Sequence, residues 1–207
     1  MTRKVPMAQK RDVRENLDKL LAEIRACRIC EAHLPHGARP IIRASKTARI
    51  LISAQAPGIR VHETGLSFND PSGDRLREWL GVDRETFYDE KRVAIVGMGF
   101  CFPGYTASGA DKPPRPECAP TWQARLAEAL PPFSLTLLVG TYSIRWHLGE
   151  RRKETMTDTV KAWREYGPSL IPLPHPSWRN NAWLKKNPWF EQELLPELRA
   201  RVRRALR

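Results

Sequence analysis

The reactive side chains that stand out in this chain are four cysteines and one proline-flanked histidine. Cys27 and Cys30 form a C-x-x-C pair, and Cys101 and Cys118 follow after a long gap at C-x16-C spacing. In a chain without secretory features, such a set points to metal before disulfide. Zinc held by four thiolates is one reading. A zinc ribbon usually carries two tight knuckles, whereas here the second pair spans a long proline-rich loop. That layout suits a cluster anchored by thiolates from separated segments. Four unrelated buried thiols are the third reading.

His175 lies within Pro174-His175-Pro176-Ser177. Prolines on both sides stiffen the backbone, which suits an imidazole that must point at one atom of a substrate. A surface-loop histidine is the plainer alternative. A second stretch, Gln55-Ala56-Pro57-Gly58, leads to Thr64-Gly65 and then to Phe68-Asn69-Asp70-Pro71-Ser72-Gly73-Asp74. Its glycines let backbone approach a ligand closely. Phe68 offers a face on which a base could stack, worth ~1–3 kcal/mol. Asp70, and after it Asp74, offers a carboxylate. An ordinary turn with Phe68 in the core competes with this reading. Trp178, Arg179 and Asn180, then Trp183, Lys185 and Lys186, mix aromatic and cationic groups just after Ser177. Cations for phosphates and bulky groups to replace an extruded base are what a segment pressing on nucleic acid needs. A solvated helix start is the alternative. His33, His36, His62 and His147 lack a comparable setting.

These residues need elements to position them. Val13, Leu17, Leu20, Leu21 and Ile24 recur at helical spacing over 12–26, with Asp12 as a candidate N-cap. Apolar runs at 49–54, 92–98, 134–139 and 169–173 read as buried strands. Helices are expected at 74–80, 121–130, 141–148, 156–166 and 189–206, and a Pro/Gly-rich loop at 103–120. Alternation of this kind predicts an α/β single domain with a central four-stranded parallel sheet flanked by helices on both faces. Ligands of such sheets bind at the carboxyl ends of the strands, where 55–58, 97–101 and 175–177 fall. The expected organisation is a basic tail over 1–11 and one domain over 12–207.

The chain has 207 residues, enough for one sizeable core, and a formal net charge of +12 from 35 Lys and Arg against 23 Asp and Glu. That surplus favours a polyanionic partner. No apolar run reaches the ~20 residues of a membrane span, and the basic N-terminus lacks the apolar stretch of a signal peptide. A cytoplasmic monomer is expected.

Together these motifs resemble the uracil-DNA glycosylase superfamily, especially its iron–sulfur members, families 4 and 5. The similarity spans roughly Leu20 to Leu198. It rests on the order of the four cysteines, on Ala56-Pro57-Gly58 with Thr64-Gly65, Phe68 and Ser72-Gly73-Asp74, and on His175-Pro176-Ser177. The resemblance implies a 4Fe–4S cluster on Cys27, Cys30, Cys101 and Cys118. It also implies excision of uracil from DNA by hydrolysis of the N-glycosidic bond, leaving an abasic site. Gln55 and Ala56 stand where active relatives carry an acidic residue, so Asp70 is the implied carboxylate and His175 the donor to the leaving base. Phe68 and the backbone of Gln55 to Gly58 would form the base pocket. Gly97 stands where the superfamily usually reads uracil with an asparagine, which implies a range extending to other deaminated bases. A cluster-bearing protein that binds damaged or abasic DNA without turnover is the competing reading. An enzyme of free nucleotides or RNA and a zinc-site structural protein stand behind it.

Overall fold

The structure, a computed structural model, describes residues 16–207. The expected tail over 1–11, the Asp12 cap and Val13 lie outside the described residues. The first helix, α1 (Leu17–Arg25), starts on Asn16, whose side chain accepts from the Asp18 amide at 3.0 Å. Strand β1 (Ile50–Ala54) is followed by α2 (Ile59–Thr64), α3 (Pro71–Leu80) and α4 (Arg84–Tyr88), then by β2 (Val93–Gly97). After the 103–120 segment come α5 (Cys118–Ala129), β3 (Leu135–Val139), α6 (Thr141–Leu148), α7 (Met156–Lys161) and β4 (Leu170–Leu173). The chain ends with α8 (Asn181–Lys186) and α9 (Leu195–Ala205).

All strand pairs are parallel, in the order β2-β1-β3-β4. The predicted α/β architecture is therefore the observed one. Side chains alternate across the sheet: Ile50, Ile52, Val93 and Ile95 belong to one core with α3 and α9, while Leu51, Ala94 and Val96 pack with α1 and α5 on the other face. The chain leaves β1 for β2 on one side and returns to place β3 on the other. The carboxyl end of β1 is thus a topological switch point, where a crevice opens. Among the described residues, no helix is long and apolar enough to cross a membrane.

Several helices depart from the sequence expectation, among them α3, which starts at Pro71 rather than 74. Helix α5 begins at Cys118 rather than 121, because Pro120 falls in the first turn, where its missing N–H costs nothing. The expected 156–166 helix ends at Lys161 and finishes as a 3-10 turn, Trp163–Tyr166. The expected 189–206 helix opens with a widened π turn over Phe190–Leu194, since Pro196 has no N–H to give the preceding turn. Helices α2 and α4 are too short to show a period; α2 is framed by Gly58 and a left-handed Gly65 (φ 71°).

One turn fixes the entrance to α3. Phe68 has φ 56°, a left-handed conformation that costs a bulky residue about 1–2 kcal/mol. Its carbonyl accepts from the Tyr88 hydroxyl at 3.0 Å and from Arg77 Nη1 at 3.4 Å. Arg77 is buried, pairs with Asp74, and lies over the Phe87 and Tyr88 rings at 5.2 and 5.5 Å. A Cβ on Gly73 would stand 1.8 Å from the Phe68 oxygen. Gly73→Ala is therefore expected to lower unfolding free energy by ~2–3 kcal/mol in chemical denaturation. Gly37→Ala, with φ +79° but nothing within 4 Å, is expected to lose only about 1 kcal/mol. Equal losses would show that the crowding at Phe68 does not matter.

Candidate active site

The carboxyl ends of β1, β2 and β4 open onto one cavity of about 530 Å³, a size suited to a small organic ligand. It gathers Gln55, Ala56, Pro57 and Gly58 after β1, Gly97 at the end of β2, and Phe68 and Asp70 before α3. From beyond β4 it takes His175, Ser177, Trp178, Arg179 and Asn180. Stretches far apart in sequence thus share one wall. Lys185 and Lys186 do not line it; they are exposed on α8. Trp183, which could have been a wedge against DNA, is an anchor instead. Its indole N–H donates to Thr157 Oγ1 at 2.7 Å and its ring packs on Trp189 and Phe190. Trp178 remains open, with 71% of its surface exposed, and Arg179 lies over its ring at 5.6 Å.

Asp70 and Asp74 part company. Asp70 is the N-cap of α3: its Oδ1 accepts from the Gly73 amide at 2.9 Å, and the residue lines the cavity. Asp74 points away, 76% exposed and paired with Arg77. His175 is half-buried, and its loop is held from two sides. Asn180 Nδ2 donates to the His175 carbonyl at 2.6 Å, and Arg75 of α3 donates to the Ser177 carbonyl at 3.1 Å. Burial pushes the His175 pKa down; Asp70 opposes this and Arg179 adds to it. The imidazole is thus neutral around pH 7, a hydrogen-bond donor rather than a cation.

At its carboxyl end β2 offers no side chain, because Gly97 stands there, although Ile95 lines the cavity further back. A Cβ on Gly97 would meet the Gly99 carbonyl at 2.4 Å, and the Gly97 carbonyl already accepts from Gln123 Nε2 at 2.8 Å. Gln55 lies against Gly140 at the start of α6 (a Cβ there would be 3.0 Å from its Nε2), so its amide borders the cavity from the β3 side. Sequence reasoning passed over Arg75, Tyr142 and Asp111. Tyr142 and Asp111 line the cavity. No local sequence pattern marks Asp111, which lies within the 103–120 loop.

The four cysteines come together beside this site. Cys27, Cys30, Cys101 and Cys118 line one small cavity with Phe100 and Arg115, and Gly99 borders both cavities. All four are free thiols. Burial is the main reason the Cys101 pKa rises to about 11 and that of Cys118 to about 12; the neighbouring thiols add to it. Cys30 Sγ lies 3.7 Å from Glu117, which pairs with Arg115 at 2.6 Å. Among the described residues, no group of three or more Cys, His, Asp or Glu is drawn to the spacing of ligands on a single ion. As a donor set, four thiols from separate segments with Arg28 and Arg115 nearby fit a group that takes four thiolates and carries net negative charge. His36 and His62 pack with Phe102 and line neither cavity.

A model of the uracil DNA glycosylase superfamily matches residues 42–199, from the segment before β1 into α9. The match takes in all four strands and every residue that lines the cavity except Ile41, while Cys27 and Cys30 precede it. With it come DNA as substrate and a glycosylase-like hydrolase chemistry. The chain belongs to the uracil DNA glycosylase superfamily.

Proposed function

We propose that this chain is a monofunctional DNA glycosylase that excises uracil and other deaminated bases, hypoxanthine and xanthine among them, and leaves an abasic site. The observation that carries the reading is the convergence of His175, Phe68 and Asp70 on one cavity at the switch point of the sheet. A base must leave the duplex stack to reach such a cavity. Phe68 stacks the flipped base, and the backbone of Gln55 to Gly58 borders it. Breaking the C1′–N bond sends the electron pair to the base and positive charge to the sugar. Neutral His175 donates a hydrogen bond to the base carbonyl where negative charge develops. Asp70 stabilises the sugar cation with the oxygen that does not cap α3. With no side chain at Gly97 to test the base, discrimination relaxes, and the room in the cavity accommodates a purine. Trp178, Arg179 and Asn180, with Lys185 and Lys186 further along, face the DNA backbone. The protein works as a monomer.

We also propose that Cys27, Cys30, Cys101 and Cys118 hold a 4Fe–4S cluster. It would tie the end of α1, the end of β2 and the start of α5 together beside the base cavity. Its contribution is structural cross-linking. The purified chain is expected to contain iron and sulfide and to absorb visible light. Cys118→Ser should lose that absorbance and lower the Tm; a colourless protein with bound zinc would refute the cluster.

The second reading, binding to damaged DNA without turnover, is favoured by Gln55 and Ala56 where an acid is expected and by the helix-capping duty of Asp70. Incubation with duplexes carrying uracil, hypoxanthine or xanthine separates the two: abasic-site formation supports the enzyme, and tight binding with no release of any base supports the binder. His175→Ala is expected to slow base release by ~10²–10³-fold while leaving binding to a tetrahydrofuran abasic duplex within about twofold. Equal losses in both would remove its assigned role. Because the working imidazole is neutral and its pKa is lowered, base release should hold steady as pH falls past the ordinary histidine value of 6.5. It should decline only below that, as the ring takes up a proton. A decline centred above 6.5 would contradict this.

A further inference from the structure

The cavity contains a second carboxylate, from outside both motifs. Asp111 is carried by the 103–120 segment, which folds back on itself. Tyr105 and Asp111 form an antiparallel bridge, the Thr106 amide donates to the Ala110 carbonyl at 2.7 Å, and the Lys112 amide donates to the Gly104 carbonyl at 2.9 Å. The return strand brings Asp111 Oδ2 against the first motif, 3.4 Å from where a Cβ on Gly58 would stand. Asp70 and Asp111 differ in what they are free to do. One Asp70 oxygen is committed to the Gly73 amide. The Asp111 carboxylate accepts no hydrogen bond from the described residues and is open to solvent at the cavity mouth, where water reaches it.

The charges around the cavity also couple these groups. Asp70 acts on both His175 and Asp111, and so does Arg179. His175, Asp70, Arg179 and Asp111 thus form one charge-coupled group lining the cavity. A hydrolytic displacement at C1′ needs one group at the departing base and another at the entering water. Burial raises the Asp111 pKa, with Arg179 opposing and Asp70 adding. A raised carboxylate is the stronger base.

We propose that Asp111 is the catalytic carboxylate that activates the attacking water, leaving Asp70 to stabilise the sugar. This rests on the glycosylase reading. The water oxygen forms a bond to C1′ as the C1′–N bond breaks. The electron pair of that bond leaves with the base, held by the hydrogen bond from His175. The water proton passes to Asp111, and the base anion is protonated from solvent. No further reactant is required.

The test is single-turnover base release by the full chain, with whichever of uracil, hypoxanthine or xanthine the wild type releases fastest. Asp111→Asn is expected to slow release by ~10²-fold, with tetrahydrofuran-duplex binding within about twofold of wild type. Azide, an anionic nucleophile that needs no proton removed, should then restore at least ~10-fold of the lost rate in D111N. It should do nothing for H175A, whose defect lies at the leaving group. Asp111→Glu should retain part of the rate. D111N releasing base at the wild-type rate would overturn the proposal and leave the glycosylase reading intact. Loss of rate and duplex binding together, without azide rescue, would overturn it in favour of a structural role. No base release by the wild type would overturn both readings.

Discussion

The carbonyl oxygen of Phe68 lies where the chain turns left-handed, and three unlike groups converge on it: the Gly73 backbone edge, the Arg77 guanidinium and the Tyr88 hydroxyl. Left alone, that turn would relax, because an aromatic residue gains nothing intrinsically from positive φ. Two hydrogen bonds and a glycine that leaves room offset the strain, and they hold Phe68 where the core around Phe87 meets the cavity wall. Helix α3 is common to every part of the arrangement. Its cap is Asp70, its third residue is Gly73, its fifth, Arg75, holds the Ser177 carbonyl, and its seventh is Arg77. Phe68, the capping carboxylate and the histidine loop are therefore all tied to α3. The helix is in turn packed against α9 and the sheet through Leu76, Trp79 and Leu80.

The sheet was legible because a strand buried on both faces must be apolar along its whole length, and four such runs stand out. The motif residues were legible for a related reason. Glycines and prolines at the ends of those runs mark backbone that must be irregular yet ordered. What was not legible depended on distance. Trp183 has the composition of a DNA wedge, and only the location of Thr157 and Trp189 makes it an anchor. Lys185 and Lys186 follow it onto α8 and away from the cavity wall. Proline effects at 120 and 196 shifted helix boundaries by a few residues, since a proline's meaning depends on which turn of the helix it occupies. Asp111 was hidden because its position follows from where both ends of a long loop are fixed, which no local pattern records.

That loop links the two cavities. Its residues from Asp111 to Pro114 line the larger one; Arg115 and Cys118 line the smaller. Between them stands the backbone of Gly99, whose missing side chain lets Pro114 and Ala56 close over it, a Cβ there falling 3.1 and 3.4 Å from their Cβ atoms. Gly99 borders both, so the thiols and the larger cavity lie one residue apart. The sulfur site and the pocket thus share a wall, even though the match to the superfamily begins after the first two thiols.

The glycine at the end of β2 has an evolutionary consequence. Any side chain at position 97 would collide with the Gly99 carbonyl at 2.4 Å. Gly99 cannot retreat freely, because its amide is bonded to the Gln55 carbonyl at 2.9 Å. A single substitution therefore cannot install a base-reading amide there. The backbone between 97 and 99 would have to be rebuilt first, at the cost of the bond that ties β2 to the first motif. A base-reading side chain at position 97 thus requires a rebuilt backbone, whereas Gln55 and the 103–120 loop can change without touching that bond.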